Sequence, residues 1–346
     1  MTTERGSLPP ELYPWQQEQW LQVNLMMEQK RLPHALIIGG VPGLGKLIFA
    51  KRLAATLLCQ QTIRGDACGQ CKSCQLLASS SHPDFKLMQP DETGKAILVD
   101  QVRKIQSAMA TTAQQGGARV VIINGATDLN LNAANALLKQ LEEPGDNSFF
   151  LLLHQWPTHI LPTVRSRCQL LDINKPTQEV ALAWLQERLA NTMAQEGLDT
   201  AVKLLQMAKG GPLKALELYE TKAHEQRHQV LVQLTAILRG KQTSVEVAQN
   251  WHKLPLEQVF TWWIEWLNDL VKLKMTGDAA QLSNLDIIKL LQAVAQRSDI
   301  EDIYHLLEKV TVQLNYINQR RNLNPQLVCE ELLNSWYLLV KSGRSQ

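Results

Sequence analysis

The sequence has no long apolar run and no excess of charge of one sign. None of its apolar stretches approaches the roughly 18–20 residues that span a bilayer. The first residues, Met-Thr-Thr-Glu-Arg-Gly-Ser, lack the apolar core and small-residue cleavage site of a secretory signal, so we expect a soluble, cytoplasmic protein. Lys and Arg number 35 against 33 Asp and Glu. This near balance gives no overall field that would demand nucleic acid as a direct partner.

Cysteine is scarce and unevenly placed, because four of the six lie in one segment as Cys59, Cys68, Cys71 and Cys74. In a reducing cytoplasm such clustering favours metal over disulfides. The two overlapping C-x-x-C pairs offer four thiolates, which suit tetrahedral zinc, whereas a thioredoxin-like centre would use one pair. With all four coordination positions filled by protein, the zinc should be structural. The nearby His82 is not needed as a ligand.

The residue pattern of the N-terminal half predicts a parallel α/β sheet. Short apolar runs alternate with stretches of helical spacing, as expected when helices cover both faces of a sheet. The predicted strands are Ala35–Ile38, Phe85–Met88, Val120–Ile123, Phe149–Leu153 and Gln169–Leu171. Val99–Met109 and Asn132–Leu141 have the spacing of helices that lie against such a sheet.

With 346 residues, the chain is long enough for two or three domains. Lys175-Pro176-Thr177 ends the α/β region, and Gly210-Gly211-Pro212 interrupts the helical remainder. These breaks predict an α/β domain at 1–174 with a cysteine-rich insertion at 59–74. A small helical domain is predicted at 175–217, and an all-α domain at 218–346.

A glycine-rich loop follows the first predicted strand and opens a helix at Leu47–Leu58. Gly40 to Lys46 fits the phosphate-binding pattern G-x-x-x-x-G-K, with a further glycine at Gly43. Gly40, Gly43 and Gly45 would let backbone N–H groups turn toward phosphate oxygens, while the Lys46 ammonium reaches the outer phosphates. Two interpretations stay open for this loop: weak nucleotide binding, or a retained strand-to-helix turn.

The groups that would hold magnesium at this loop are missing. The hydroxyl expected after Lys46 is replaced by Leu47. The two carboxylates expected after the third strand are replaced by Asn124-Gly125, and Asp128 lies too far along unless the turn is unusual. Since metal and general base supply much of the rate acceleration, we expect negligible ATP hydrolysis.

Together these features resemble the clamp-loader branch of the AAA+ family, strongly over Leu32–Ile173 and weakly over the helical remainder. Three motifs carry the resemblance: the cysteine insertion after the phosphate-loop helix, Asn135-Ala136-Leu137-Leu138-Lys139-Gln140-Leu141-Glu142-Glu143-Pro144, and Ser166-Arg167-Cys168 before the last strand. In that family the serine-arginine-cysteine motif projects an arginine finger into the ATP site of a neighbouring subunit. The resemblance therefore implies that role for Arg167, and a helical lid and an oligomerising collar for the two helical regions.

The resemblance also implies partners: a delta subunit and ATPase motor subunits in a hetero-oligomeric ring, with the sliding clamp and primed DNA reached through that complex. The losses at Leu47, Asn124 and Gly125 favour a non-hydrolysing subunit of a replicative polymerase assembly over an active motor subunit. His154-Gln155 and Leu213 depart from the motor pattern as well. A zinc-dependent DNA-binding module is the alternative from another class, and it is weakened by the near-neutral charge and the absence of a basic helix beside the cysteines.

Overall fold

The computed structural model of the chain describes residues 11–92, 95–109, 113–115, 117–155, 160–189, 197–279, 282–319 and 321–341. The chain forms two compact units, one of Met1–Arg188 with Gly210–Lys214 and the other of Leu189–Lys209 with Ala215–Gln346. The three-domain division at 174 and 217 stays a prediction. Within the described ranges, no helix combines the length and the apolar character that a membrane crossing requires.

The first unit contains a five-stranded parallel sheet in the order β2-β3-β4-β1-β5. Its strands are β1 (Ala35–Gly39), β2 (Phe85–Met88), β3 (Arg119–Asn124), β4 (Ser148–Leu153) and β5 (Gln169–Asp172). All five predicted strands, and the parallel sheet they imply, are confirmed. Ile37 is paired with Leu152 of β4 and Leu170 of β5, which places β1 inside the sheet.

Helices cover both faces of this sheet. The helices of the first unit are α1 (Gln17–Glu28), α2 (Lys46–Leu58), α3 (Lys72–Ala78), α4 (Val99–Met109), α5 (Leu131–Glu142), α6 (Pro162–Arg165) and α7 (Gln178–Leu189, whose last residue falls in the second unit). Helix α2 packs on β1, β3 and β4. Ile37, Val121 and Phe150 instead share a buried cluster with Val102 of α4 and Leu137 of α5. Burial on both faces explains why the three central strands, β1, β3 and β4, are almost uniformly apolar.

The second unit is entirely helical in its described part. It contains α8 (Gly197–Met207), most of α9 (Pro212–Glu220), α10 (Ala223–Leu238), α11 (Ser244–Trp251), α12 (Leu256–Thr276), α13 (Ile288–Ala295), α14 (Ile300–Asn318) and α15 (Pro325–Lys341). Trp263 is fully buried and makes edge-to-face contacts with Trp251 at 5.4 Å and Trp336 at 6.1 Å between ring centroids. These three tryptophans are therefore part of the core of the second unit.

The direction of the strands separates two edges of the sheet. The phosphate loop follows β1, Asn124 ends β3 and His154 follows β4, so all three lie at the edge formed by the carboxyl ends of the strands. Arg167 precedes β5 and lies at the opposite edge. A strand of this length spans on the order of 13 Å, which keeps Arg167 away from the phosphate loop of its own chain.

Candidate functional sites: a phosphate loop, a cysteine cluster and an exposed arginine

The structure brings the predicted residues of the phosphate loop together between β1 and α2. Gly43 and Gly45 have φ of +81° and +77°, a backbone conformation that side chains with a Cβ rarely adopt. Gly45 also caps the N-terminus of α2. The glycine pattern therefore has a conformational cause that is independent of any bound phosphate.

The Lys46 side chain forms its hydrogen bonds within the loop itself. Its ammonium donates hydrogen bonds to the backbone oxygens of Gly40 and Val41, each at 2.8 Å. Only 7% of the residue is exposed. Burial lowers the pKa of Lys46 to about 8, so the amine stays mostly protonated at neutral pH. A phosphate would have to draw this ammonium away from two carbonyl groups.

Residues before the first strand cover the other side of the loop. In the 3-10 turn Pro14–Gln16, the Gln16 amide donates to the oxygens of Leu44 at 2.7 Å and Gly45 at 3.0 Å. The Trp15 indole donates to the Leu44 oxygen at 3.0 Å. The Tyr13 ring lies against Gly45 so closely that a Cβ there would clash with it. The N-terminal segment thus holds the loop through its carbonyl oxygens.

An aromatic cluster fixes this covering segment. Tyr13 and Trp15 stack at 4.9 Å between centroids, and Trp184 of α7 meets both rings edge-on. The Arg188 guanidinium lies over the Trp184 ring at 3.9 Å. Burial raises the pKa of Tyr13. These contacts stabilise the cover by packing as well as by hydrogen bonds.

The start of α9 packs against the phosphate loop at Gly43. The Leu213 N–H donates to the Gly43 oxygen at 3.0 Å, and a Cβ on Gly43 would lie 2.5 Å from the Lys214 nitrogen. Leu213 stands where a motor subunit is expected to place a second sensing arginine. Here the same position makes a structural hydrogen bond to the loop.

The magnesium ligands are absent at the expected positions of the described chain. Leu47 offers no oxygen, and Asn124 ends β3. The turn after β3 is the unusual one that the sequence left open, because Gly125 has φ of +104° and the 3-10 turn Ala126–Asp128 folds the Asp128 carboxylate back against it. Burial raises the pKa of Asp128. The carboxylate reaches the strand end, but the hydroxyl ligand remains missing.

The four clustered cysteines form a second site. The sulfurs of Cys59, Cys68, Cys71 and Cys74 all lie within 4.8 Å of one another, and no other described group of His, Cys, Asp or Glu side chains forms such a metal-binding cluster. The Cys59–Cys71 and Cys68–Cys74 sulfur pairs are 3.9 and 4.0 Å apart. Four sulfurs around a zinc ion at 2.3 Å in tetrahedral geometry would be about 3.8 Å apart. The cluster therefore has the dimensions of a four-thiolate metal site.

Backbone amides support thiolate character in the cluster. The N–H groups of Cys68 and Cys71 donate to the sulfurs of Cys59 and Cys68, each at 3.3 Å. Burial opposes ionisation of Cys71, yet the N–H groups of Cys74 and Gln60 and the neighbouring thiols bring its pKa down to about 6. Burial raises the pKa of Cys74. A divalent cation would offset the burial penalty for all four thiolates.

Two contacts attach the cluster to the α/β core. Arg52 of α2 forms a two-pronged ion pair with Asp66 at 2.8 and 2.6 Å. The Ser73 hydroxyl donates to the Leu58 oxygen at 2.6 Å and lies 2.8 Å from His82 Nε2. His82 is thus used in a buried hydrogen bond outside the cluster.

Arg167 lies in the turn between α6 and β5, with about a third of its side chain exposed. Its Nε donates to Glu142 Oε1 at 2.7 Å, and Nη2 forms an ion pair with the same carboxylate. Nη1 donates to the Thr163 oxygen at 2.8 Å and the Ser166 hydroxyl at 3.2 Å. Glu142 ends α5, so the two motifs that carry the family resemblance meet at this ion pair.

Cys168 has no nucleophilic character. Burial raises the pKa of its thiol to about 12, and the side chain packs against the apolar cluster beneath the sheet. A thiol that stays protonated cannot act as a nucleophile at neutral pH. Its place in the motif is structural.

Sequence reasoning missed the residues that surround the predicted ones. Tyr13, Trp15 and Gln16 reach the phosphate loop across about thirty positions of the chain, with no periodic pattern to indicate it. Glu142 belongs to the motif Asn135–Pro144, but the sequence assigned it no role. Its acidic side chain at the end of a helix, directly before Glu143-Pro144, was the available signal.

Comparison with known proteins agrees with this geometry. The family model described as "DNA polymerase III, delta subunit" matches residues 15–177, and the one described as "DNA polymerase III, delta subunit, C terminal" matches residues 221–337. DNA polymerase III subunit delta' of Pseudomonas aeruginosa is 35% identical over 96% of this chain and 99% of the relative. The Escherichia coli protein of that name is 31% identical over 93% and 94%.

Solved structures with detectable likeness include a gamma subunit-related protein of Thermotoga maritima, with a TM-score of 0.40 and 15% identity over 93% of this chain and 99% of that one. The Bacillus subtilis clamp loader delta protein has a TM-score of 0.35 and 11% identity over 92% and 99%. The parallel sheet, its phosphate loop and the all-α C-terminal region define an AAA+ type of fold. The chain belongs to the DNA polymerase III subunit delta' family.

Proposed function

We propose that this chain acts in the cytoplasm as the delta' subunit of a bacterial clamp loader, joining a delta subunit and ATPase motor subunits in a ring that loads the sliding clamp onto primed DNA. In this proposal residues 1–174 are the AAA+ domain, 175–217 the lid and 218–346 the collar. The family membership supports the role. The observation that carries it is the position of Arg167 at the sheet edge opposite its own phosphate loop.

Arg167 serves a neighbouring subunit rather than its own chain. A guanidinium that stabilises a transferring phosphoryl group must touch it, and the strands of the sheet separate Arg167 from the loop at Gly40–Lys46. The side chain is partly exposed and already oriented by Glu142 and Thr163. Both properties suit a group that acts on a partner.

In this proposal the phosphate loop of this chain has a structural role and does not support ATP hydrolysis. Its carbonyl groups are bonded to Lys46, Gln16 and Leu213, and its magnesium hydroxyl is replaced by Leu47. Nucleotide would have to draw the Lys46 ammonium away from its two carbonyl partners and would find no hydroxyl ligand for magnesium. The subunit therefore completes another subunit's ATP site without hydrolysing ATP at its own.

The cysteine cluster holds a structural zinc ion in this proposal. Zinc fits the chemistry of four thiolates at tetrahedral spacing, and no ligand position is left for water or substrate. The ion would fix the segment between α2 and α3 in place of a hydrophobic core.

The purified chain is expected to hydrolyse no ATP above background with magnesium present, and Lys46→Ala should leave the ATPase rate of the assembled loader nearly unchanged. The physical reason is that Lys46 bonds to loop carbonyls and no hydroxyl follows it. The variant loses those bonds, so its free energy of unfolding should fall by about 1–3 kcal/mol. ATP turnover assays and thermal unfolding measure the two effects.

Lys51→Ala is the matched control for stability, since Lys51 lies on the same helix with no described side-chain partner. Magnesium-dependent turnover by the pure chain that Lys46→Ala abolishes would show an active motor subunit instead. Assembly is tested separately, by co-purification of the chain with the other loader subunits of the same organism. Failure to co-purify would overturn the proposed role as a whole.

A further inference from the structure

A groove in the second unit is lined by cations that the proposed function does not use. It has a volume of about 1060 Å³ and is lined by residues of α8, α10 and α13, together with Val340 of α15. Six Lys and Arg residues line it with a single acid, Asp286: Lys203, Arg227, Arg239, Lys241, Lys289 and Arg297. The whole chain is almost balanced, with 35 basic and 33 acidic residues, so this concentration of positive charge is local.

The acid is already neutralised. Arg227 is buried and forms an ion pair with Asp286, and it donates to the Asn284 side chain at 2.9 Å. Asn284 is held in turn by Asp269, which accepts from its N–H and its side-chain amide, each at 2.8 Å. This network fixes the turn before α13. The five other cations make no side-chain hydrogen bond or ion pair within the described part of the chain.

The floor of the groove is apolar. Leu204, Leu231, Leu290 and Val294 line it, and Val232 is 53% exposed at its side. Single-stranded nucleic acid sites combine cations with aromatic rings on which bases stack. No Trp, Tyr or Phe is among the described lining residues. A basic rim around an aliphatic floor instead matches a helix with carboxylates on one face and aliphatic side chains on the other.

The size of the groove supports the same occupant. Small-molecule sites occupy about 300–1,000 Å³, so this groove is at their upper limit and far larger than one phosphate requires. The chain offers no strongly acidic occupant of its own among the residues that lie outside the described ranges, since 1–10, 190–196 and 342–346 contain at most one acid each.

We propose that this groove is a docking site for an acidic amphipathic helix of a partner protein. Its carboxylates pair with the five free cations, and its aliphatic face covers the Leu204–Leu231–Leu290 floor. Binding at the groove involves neither Arg167 nor the phosphate loop, so it can be measured on the isolated full chain. Its outcome is therefore independent of the proposed finger role of Arg167.

The test uses a fluorescein-labelled synthetic helical peptide with glutamate on one face and leucine on the other. Fluorescence anisotropy with the full chain should show saturable binding that weakens with added salt. The double variant Lys289→Glu with Arg297→Glu should weaken binding on the order of tenfold or more, since charge reversal turns attraction into repulsion. A control peptide with glutamine in place of glutamate should bind the unmodified chain no more tightly than the glutamate peptide binds the double variant.

Lys253→Glu with Lys274→Glu is the matched control, because both lysines are exposed on the same unit, outside the groove, and the change in net charge is identical. It should leave the affinity unchanged. Circular dichroism checks folding, and Lys241→Glu alone serves if the double variant does not fold. The proposal would be overturned if the groove variants bound the peptide as tightly as the unmodified chain does, or if no saturable binding were seen. So would a thymidine oligonucleotide or anionic vesicles binding in the groove-dependent manner while the peptide does not.

Discussion

Replacement of Arg167 by alanine is expected to leave folding, metal content and complex assembly intact while lowering the ATPase and clamp-loading rates of the reconstituted complex. An arginine finger is worth on the order of 10³–10⁵ in rate at the site it serves. The loss in total rate will be smaller, because other ATP sites in the ring continue to turn over. ATP hydrolysis stimulated by clamp and primed DNA is the measurement.

Two further variants sharpen this result. Arg167→Lys should restore little activity, because an ammonium cannot reproduce the two-pronged donor geometry of a guanidinium. Arg165→Ala removes an exposed arginine two positions away that has no described side-chain partner, and it should behave like the unmodified chain. An Arg167→Ala complex that assembles and hydrolyses ATP at the unmodified rate would reduce the subunit to a scaffold.

One zinc ion per chain is expected in freshly purified, reduced protein, and its removal should loosen residues 59–74 without altering any chemistry. Without the metal, the buried thiols take up protons and no bond joins the four sulfurs, so the segment loses its organising centre. Elemental analysis measures the metal, and hydrogen exchange or limited proteolysis measures the loosening. The change in exchange should be confined to this segment and the adjoining α3.

Cys71→Ser should reduce zinc occupancy strongly, because a serine hydroxyl does not ionise at neutral pH. Cys168→Ser is the matched control: it removes a thiol outside the cluster and should keep one zinc per chain. Absence of zinc from the unmodified protein, or an iron–sulfur absorption spectrum in its place, would contradict the assignment.

Much of the fold could be predicted because its cause is local. The central strands are short runs buried on both faces, and α4 begins and ends at the predicted residues, Val99 and Met109. The cysteine cluster was predictable for the same reason, since its four cysteines lie within sixteen positions of the chain.

The rest depended on contacts between distant residues. Tyr13 and Gln16 contact Gly45, which lies about thirty positions further along the chain, and no sequence pattern links the two segments. The return of Asp128 to the end of β3 depends on the positive φ of Gly125. The groove of the second unit collects cations from three helices and from the turns that follow α10 and α13, and each cation by itself looks like an ordinary solvated charge.

If Arg167 acts as the proposed arginine finger, its ion pair with Glu142 would return it to the same orientation after each turnover. The pair is partly exposed, and an exposed ion pair contributes only roughly 0.2–1 kcal/mol. A neighbour's phosphate can therefore take the guanidinium from Glu142 in an exchange of one anion for another. When hydrolysis and release remove that phosphate, the carboxylate is still within reach. Glu142 then recaptures the arginine and returns it to its starting orientation for the next cycle.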